Sequence, residues 1–377
     1  MKKIAIIGCG ISGLYFANLL ENKKLYNYTI YEKKNQLSLN DGYGIQLSVN
    51  SVKLLNEIGF KNIFASEIFF PQKVNFFDAK TSNKICDIDI SKYNNENERY
   101  TTLKRSVLVK FLLGNIPSDR IKKNIKLESI EYGEKIKLSL SNNLIEEFDY
   151  LIVSDGIFSK TKSIILKKEI NPRFFNSVSL RGNIKNLNNK NILIYLGSDF
   201  HFVIYPVNQN KEFNFISIIR KKLDKHDLLK ENFFESREFL KSLIDEISQK
   251  TFFNLSSKQE NIKSFPIYVS EKYENYNQKN IYFVGDALFA FPPSFAQGAS
   301  QSIESAKDAY EEIINNTSNY YEKRKLRIKQ VNLRSKINHF AFHISNSLAV
   351  FVRNMLIKYL TKNKKFLEIY LGKIYKN

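Results

Sequence analysis

The chain has 377 residues, with 58 Lys+Arg against 38 Asp+Glu for a formal net charge of +20. An apolar fraction of 43% can bury a sizeable core, which excludes a disordered chain, and two cysteines, Cys9 and Cys86, exclude a disulfide framework. Of the basic residues 47 are Lys and 11 are Arg, and residues 318–377 hold 14 basic side chains against 2 acidic ones. The charge is therefore concentrated in a C-terminal stretch and lacks the Arg-rich character of a nucleic-acid reader, so no nucleic-acid partner is expected.

Met1-Lys2-Lys3 before Ile4–Ile7 imitates a signal peptide, but the apolar run is shorter than the roughly 7–15 residues of a secretory core. No run reaches the roughly 18–20 apolar residues of a spanning helix, and the longest candidate, 348–360, is interrupted by Arg353, Asn354 and Lys358. A cytoplasmic location is expected.

The predicted elements begin with a short β-branched strand, Lys3–Ile7. It runs into Gly8-Cys9-Gly10-Ile11-Ser12-Gly13, a G-x-G-x-x-G turn, and then a helix with Leu14, Ala17 and Leu20 on one side. A second strand, Tyr28–Tyr31, ends at Glu32. This is a dinucleotide-binding βαβ pattern: Gly8 permits the tight turn, Gly10 admits a pyrophosphate, and Gly13 allows close helix–strand packing. The helix N-terminus offers N–H donors to phosphate, and Glu32 can accept from a ribose diol.

The loop 42–51 (Gly42-Tyr43-Gly44-Ile45-Gln46-Leu47-Ser48-Val49-Asn50-Ser51) leads into a helix ending near Gly59. Arg105 opens a helix over Ser106–Leu113, and Tyr150–Val153 is a strand followed by Ser154-Asp155-Gly156-Ile157-Phe158-Ser159. Short alternating strands are predicted at Ser177–Ile184, Ile192–Leu196, Phe200–Tyr205 and Phe213–Ile219, with a charged helix over Asp227–Gln249. In the third of these strands His201, Val203 and Tyr205 share a face. They either fill an apolar sheet face or hydrogen-bond and help deprotonate a phenol. Ile281–Val284 is another strand, running into Gly285-Asp286-Ala287 and then Phe291-Pro292-Pro293-Ser294-Phe295-Ala296-Gln297-Gly298-Ala299. The remainder, 320–377, reads as basic helices. His339 and His343 have the i, i+4 spacing of a metal pair, but no H-E-x-x-H or nearby carboxylate accompanies them, so helix packing is expected and no metal site.

These segments, in this order, resemble the single-component FAD-dependent aromatic monooxygenases of the para-hydroxybenzoate hydroxylase and salicylate hydroxylase type. The resemblance rests on the G-x-G-x-x-G unit, on Asp155-Gly156-Ile157-Phe158-Ser159, and on Gly285-Asp286-Ala287 with Gln297-Gly298-Ala299. The chain departs from the family's pattern at Lys162, where an Arg is usual, and in having no His after Gly285-Asp286-Ala287. A weaker likeness covers the C-terminal helices, through Arg324-x-x-Arg327 and Phe351–Asn354. The absence of Trp sets the chain apart from the related Trp-rich halogenases.

The resemblance implies an α/β fold: a Rossmann-like FAD-binding domain of the glutathione-reductase type, an inserted antiparallel-sheet substrate domain, and C-terminal helices. The expected divisions are 1–170 and 275–317 for the two parts of the FAD domain, 171–274 for the sheet over the substrate, and 318–377 for the basic helices. It implies bound FAD held by Gly8, Gly10, Ser12, Gly13, Glu32, Lys33, Gly44, Ile45, Arg105, Asp155, Gly156, Gly285, Asp286, Gly298 and Ala299. Asp286 would accept from a ribityl hydroxyl, and the helix after Gly298 would favour negative charge on the reduced ring. His201, Tyr205 and Pro293 are the candidate catalytic residues, with Arg181 a candidate carboxylate anchor.

The implied reaction is an NADH- or NADPH-driven hydroxylation of an aromatic or related conjugated small molecule. O2 adds at flavin C4a and the hydroperoxide transfers OH to the ring. The alternatives are a flavin oxidase or reductase without oxygen transfer, and a hydroxylase of a lipophilic quinone precursor held weakly at a membrane surface by the C-terminal helices.

Overall fold

The structure, a computed structural model, describes residues 1–37, 43–251, 259–274, 276 and 278–376. Gly42 of the predicted loop lies outside the described residues.

The first layer is a parallel sheet in the order β18 (Ile281–Phe283), β12 (Tyr150–Val153), β1 (Lys3–Ile7), β2 (Asn27–Glu32), β8 (Ile121–Lys123). Its central strands are apolar because both faces are covered. Ile4, Ala5 and Ile6 of β1 and Leu151, Ile152 and Val153 of β12 have no solvent exposure. Helices α1 (Ile11–Lys23), α3 (Arg105–Gly114) and α7 (Gly298–Asn315) pack around it, and their apolar residues join the sheet in one core. A meander, β9 (Leu127–Tyr132), β10 (Ile136–Leu140) and β11 (Ile145–Phe148), connects β8 to β12.

The second layer is a seven-stranded sheet: β17 (Gln259–Val269), β13 (Arg173–Lys185), β16 (Glu212–Arg220), β15 (Phe200–Pro206), β14 (Ile192–Leu196), β5 (Lys73–Asp78), β6 (Lys84–Asp89). The predicted strands at 177–219 all lie in it. It is not wholly antiparallel and not built from the middle of the chain alone. β5 pairs with β14 in parallel, Val74 opposite Ile192 and Phe76 opposite Ile194. Strand alternation divides its two faces. Phe200, Phe202, Ile204, Phe213 and Phe215 turn to a core shared with Phe239, Leu243 and Ile247 of α6 (Arg237–Ser248). The opposite residues turn toward the first layer.

The single helix expected over Asp227–Gln249 is two, α5 (Lys225–Leu229) and α6. Asn232 between them is left-handed (φ 58°), and Ser236 caps α6 by accepting the Phe239 N–H. Between the layers lie a small sheet, β3 (Gly44–Leu47), β7 (Thr101–Lys104) and β4 (Ile68–Phe69), and α2 (Val49–Asn56). Short helix α4 (Lys160–Leu166) follows β12. After α7 the chain forms α8 (Tyr320–Phe342) and α9 (Ser347–Leu360), which lie along the edge where the layers meet.

Candidate active site

A cavity of about 2020 Å³ runs between the two layers. One end is walled by the carboxyl ends of β1, β2 and β12, where open parallel sheets bind ligands. The other end is apolar, lined by the inner face of the seven-stranded sheet and by α8 and α9.

The glycines of the first turn divide their work. Gly8 has φ 102°, and a Cβ there would sit 2.6 Å from the Ser154 carbonyl oxygen. A Cβ on Gly13 would lie 2.3 Å from the Gly8 carbonyl oxygen, so α1 can approach β1 only with glycine there. Ser154 closes this junction by donating from Oγ toward the carbonyls of Ile7 and Gly8 (2.8 and 2.9 Å). Gly10 differs. A Cβ there would meet only the Ser154 carbonyl oxygen, at 3.9 Å, and would otherwise enter the cavity. The first N–H groups of α1 are left to face a ligand there.

Glu32 ends β2 with its carboxylate held in place. It accepts the Cys9 N–H and the Lys34 N–H, each at 2.9 Å. Lys33, Gly44, Ile45 and Arg105 also line the cavity. Gly44 donates its N–H to Asn214 Oδ1 (2.7 Å), tying the loop before β3 to the sheet above.

Asp155 accepts the Thr161 N–H through Oδ2 (3.3 Å), while Oδ1 is buried without a hydrogen-bond partner among the described residues. Burial raises its carboxyl above the ordinary range. Gly156 beside it (φ 84°) leaves open space where a side chain would be. Asp286 is open to the cavity, and desolvation by the surrounding walls lifts its carboxyl to about 6, with the positive charge of Arg105 opposing the rise. Gly298 and Ala299 present the N-terminus of α7 to the same space, with no side-chain cap on that helix. Pro292 and Pro293 form the turn before it and also line the cavity.

Ser12, Gly13 and Gly285 stand behind this wall rather than in it. A Cβ on Gly285 would meet Ser12 Oγ at 2.6 Å, and the Gly285 N–H donates to Ser305 Oγ (2.9 Å). Their part is to let α1, α7 and the 285–287 turn pack together. Lys162 also faces inward. Its amine reaches the Leu288 carbonyl (3.4 Å) and lies 5.8 Å from the centre of the Tyr276 ring, and burial lowers it to about 8.

His201, Val203 and Tyr205 all line the cavity, as β15 alternation requires. Arg181 of β13 lines it too, with its guanidinium 5.9 Å from the centre of the Tyr43 ring and no carboxylate partner among the described residues. Burial lowers Arg181, opposed by the neighbouring Tyr205 and Tyr43.

His201 is not isolated. Its Nδ1 lies 3.2 Å from His343 Nε2, and His343 sits one helical turn from His339 on α8. His343 Nδ1 is 2.6 Å from the His339 carbonyl and Nε2 is 3.1 Å from the Ile218 carbonyl. A neutral ring can donate to only one of these, so His343 is the member whose cation would find acceptors on both sides. His339 reaches Ser294 Oγ (3.3 Å) and Ser177 Oγ (3.4 Å). Burial holds all three below the ordinary histidine range, His339 down to about 3. The helix-packing expectation for His339 and His343 thus gains a third partner from the sheet. Elsewhere, Asp224, His226 and Asp227 cluster at the surface, where Asp224 caps α5 by accepting the Asp227 N–H (2.8 Å).

No family model matches the chain. An FAD-dependent monooxygenase of Gibberella moniliformis is 25% identical over 342 residues, 80% of this chain and 74% of its own. The 6-hydroxynicotinate 3-monooxygenase of Bordetella bronchiseptica is 21% identical over 314 residues, 81% of this chain and 80% of its own. Among solved structures, Klebsiella pneumoniae HpxO complexed with FAD and uric acid has a TM-score of 0.78 at 16% identity, covering 99% of this chain and 97% of that one. A salicylate hydroxylase substrate complex has a TM-score of 0.76 at 17% identity, covering 100% and 95%. Over about four-fifths of its length the chain is similar to flavin-dependent monooxygenases, and it shares the fold of these solved structures.

Two parts of this site escape a reading of the sequence. One is the lining from α8 and α9, including Ile337, Phe340, Leu348 and Val352. Their apolar spacing was visible, but not which sheet they would face. The other is the polar brace under α2, where Gln297 donates to Ser48 Oγ (3.0 Å) and Ser51 and Ser300 hydroxyls meet at 2.9 Å. Scattered serines carry no sequence signal for such a cluster.

Proposed function

We propose that this protein binds FAD in the long cavity and uses NADH or NADPH and O2 to hydroxylate an aromatic or related conjugated small molecule. The observation that carries the reading is convergence. Gly8 and Gly10, Asp155 and Gly156, and Asp286 with Gly298, from three separated segments, wall one cavity whose far end is apolar. FAD fits the residues present. Asp155 Oδ1 is an orphaned acceptor at the wall, and Gly10, Gly156 and Gly298 leave room where side chains would project.

In this reading, bound FAD supplies the reducing and oxygen-activating chemistry. Gly10 and the α1 N-terminus hold the pyrophosphate, Glu32 takes a ribose diol, and Asp286 takes a ribityl hydroxyl with Lys33, Gly44, Ile45 and Arg105 alongside. The α7 N-terminus at Gly298 and Ala299 favours negative charge on the ring beside it. Pro293 shapes the turn against that ring. Arg181 orients an oxyanion or carboxylate of the substrate. Tyr205 and His201 act on the substrate hydroxyl, with His201 passing its proton toward His343. The apolar lining from the sheet excludes water from the reacting ring.

The test is spectroscopic. Purified protein should carry flavin absorption bands, and a substrate aromatic should accelerate their bleaching by NADH or NADPH. Protein that binds no FAD would overturn the reading.

A further inference from the structure

Helix α9 turns a broad apolar face to the surface. Leu348, Phe351, Val352, Met355, Leu356 and Tyr359 are between 46% and 71% exposed, an unusual state for a helix of this composition. Its mid-helix charge is turned away from that surface. Arg353 is buried, its guanidinium donating toward the Ala341 carbonyl (3.4 Å) and to Asn354 Oδ1. At 14 residues the helix is about 21 Å long, short of the roughly 30 Å hydrocarbon core, and no helix among the described residues is long and apolar enough to cross a membrane. Such a helix is suited to lie in an interface rather than span it.

Charge says what covers it. Residues 323–367, which include α9 and most of α8, hold 12 basic side chains and no acidic one. Lys358, Lys362, Lys364 and Lys365 are exposed beside the apolar face. A second copy docked face to face would bring these like charges together, whereas an anionic bilayer matches both the charge and the apolar stripe. The cavity also opens here: Phe340, Leu348, Val352 and Leu356 both line it and reach the surface.

We propose that α9 and its basic flanks seat this protein on an anionic membrane surface, where the adjoining mouth receives an apolar ring substrate from the lipid. The second clause rests on the monooxygenase reading; the first does not. The experiment is flotation of the full chain with phosphatidylcholine vesicles, with and without phosphatidylglycerol, at low and high salt. Binding should require the anionic lipid and weaken with salt. The triple variant Phe351→Ser, Met355→Ser, Tyr359→Ser should lose binding by about tenfold or more while keeping its circular dichroism and flavin content. Absence of flotation at low salt, or flotation unchanged in the triple variant, would overturn the docking surface. So would a wild-type dimer that the triple variant dissociates, because the face would then belong to a second copy. For substrate access, vesicle-borne alkylphenol should stimulate NADH or NADPH oxidation less in the triple variant than in wild type, with a water-soluble phenol unaffected. Equal rates with the vesicle-borne compound would overturn it. Protein that floats but binds no flavin would leave the docking surface standing and remove the monooxygenase reading alone.

Discussion

Arg327 of α8 and Glu304 of α7 form a two-pronged ion pair sealed inside the protein, Nε to Oε2 at 2.9 Å and Nη2 to Oε1 at 2.7 Å. The same carboxylate takes Arg324 at 3.3 Å and accepts from Asn50 of α2. Arg327 also donates to the carbonyls of Lys373 and Ile374. Glu304 and Arg327 together therefore tie α2, α7, α8 and the short helix Lys373–Tyr375 to one another. The Arg324-x-x-Arg327 step that resembled a family signature is, physically, the cationic half of this knot.

Breaking the knot on one side strands a buried charge. Arg327→Leu or Glu304→Gln should cost about 3–5 kcal/mol in urea denaturation, with the double variant costing less than the sum of the singles. Additive losses would show that the two residues do not act on each other.

Gly13 and Gly10 should separate folding from cofactor retention. Gly13→Ala pushes a methyl into the Gly8 carbonyl and Ser154 Oγ, so it should destabilise by about 1–3 kcal/mol or more. Gly10→Ala meets no such obstacle and should fold normally. It should nevertheless lose FAD affinity by about tenfold or more, since the methyl occupies the space a pyrophosphate needs. Thermal melts and flavin titration of the two variants check this.

The buried histidines predict acid sensitivity. His339 titrates at about 3 in the folded chain and near 6.5 when unfolded, so the unfolded state binds more protons between these values. The neutral-ring contribution is complete above pH 6.5 and is lost as pH falls toward 3. About 1–2 kcal/mol should disappear between pH 6.5 and 5 from His339 alone. His201 and His343 add in the same direction. His339→Gln should flatten the slope in urea denaturation followed across this range.

Lys162 predicts the opposite end of the scale. Its folded value of about 8 lies below the ordinary 10.5, so stability should rise as pH increases from 8 to 10.5. Lys162→Met should remove that rise and stabilise the protein at pH 7. Because the amine faces Leu288 and Tyr276, the KM for NADH or NADPH should not change, which steady-state kinetics can check.

The parts legible in the sequence were those set by local backbone demands. Lys3–Ile7, the turn at Gly8 and the strands at 192–196 and 200–206 follow from β-branched runs, a glycine that must adopt φ 102°, and period-two alternation. What depended on distant partners stayed hidden. Residues 73–89 alternate too weakly to announce strands, and only pairing with β14 makes them part of the roof. Spacing placed His339 and His343 on one face of a helix, but only tertiary packing brings His201 to them. The break at Asn232 was missed because a charged, helix-favouring stretch masks a single left-handed residue.

The parallel seam between β5 and β14 bears on how the chain reaches this state. Lys73 donates its N–H to Asn191 Oδ1, 118 residues away, at the start of that seam. The roof of the cavity cannot close until two remote segments have found each other, a slow and entropically costly step. A fragment cut to hold only 171–274 would expose β14 as a bare apolar edge, open to pairing with other chains. Anyone transplanting this roof onto another scaffold would have to carry residues 73–89 with it.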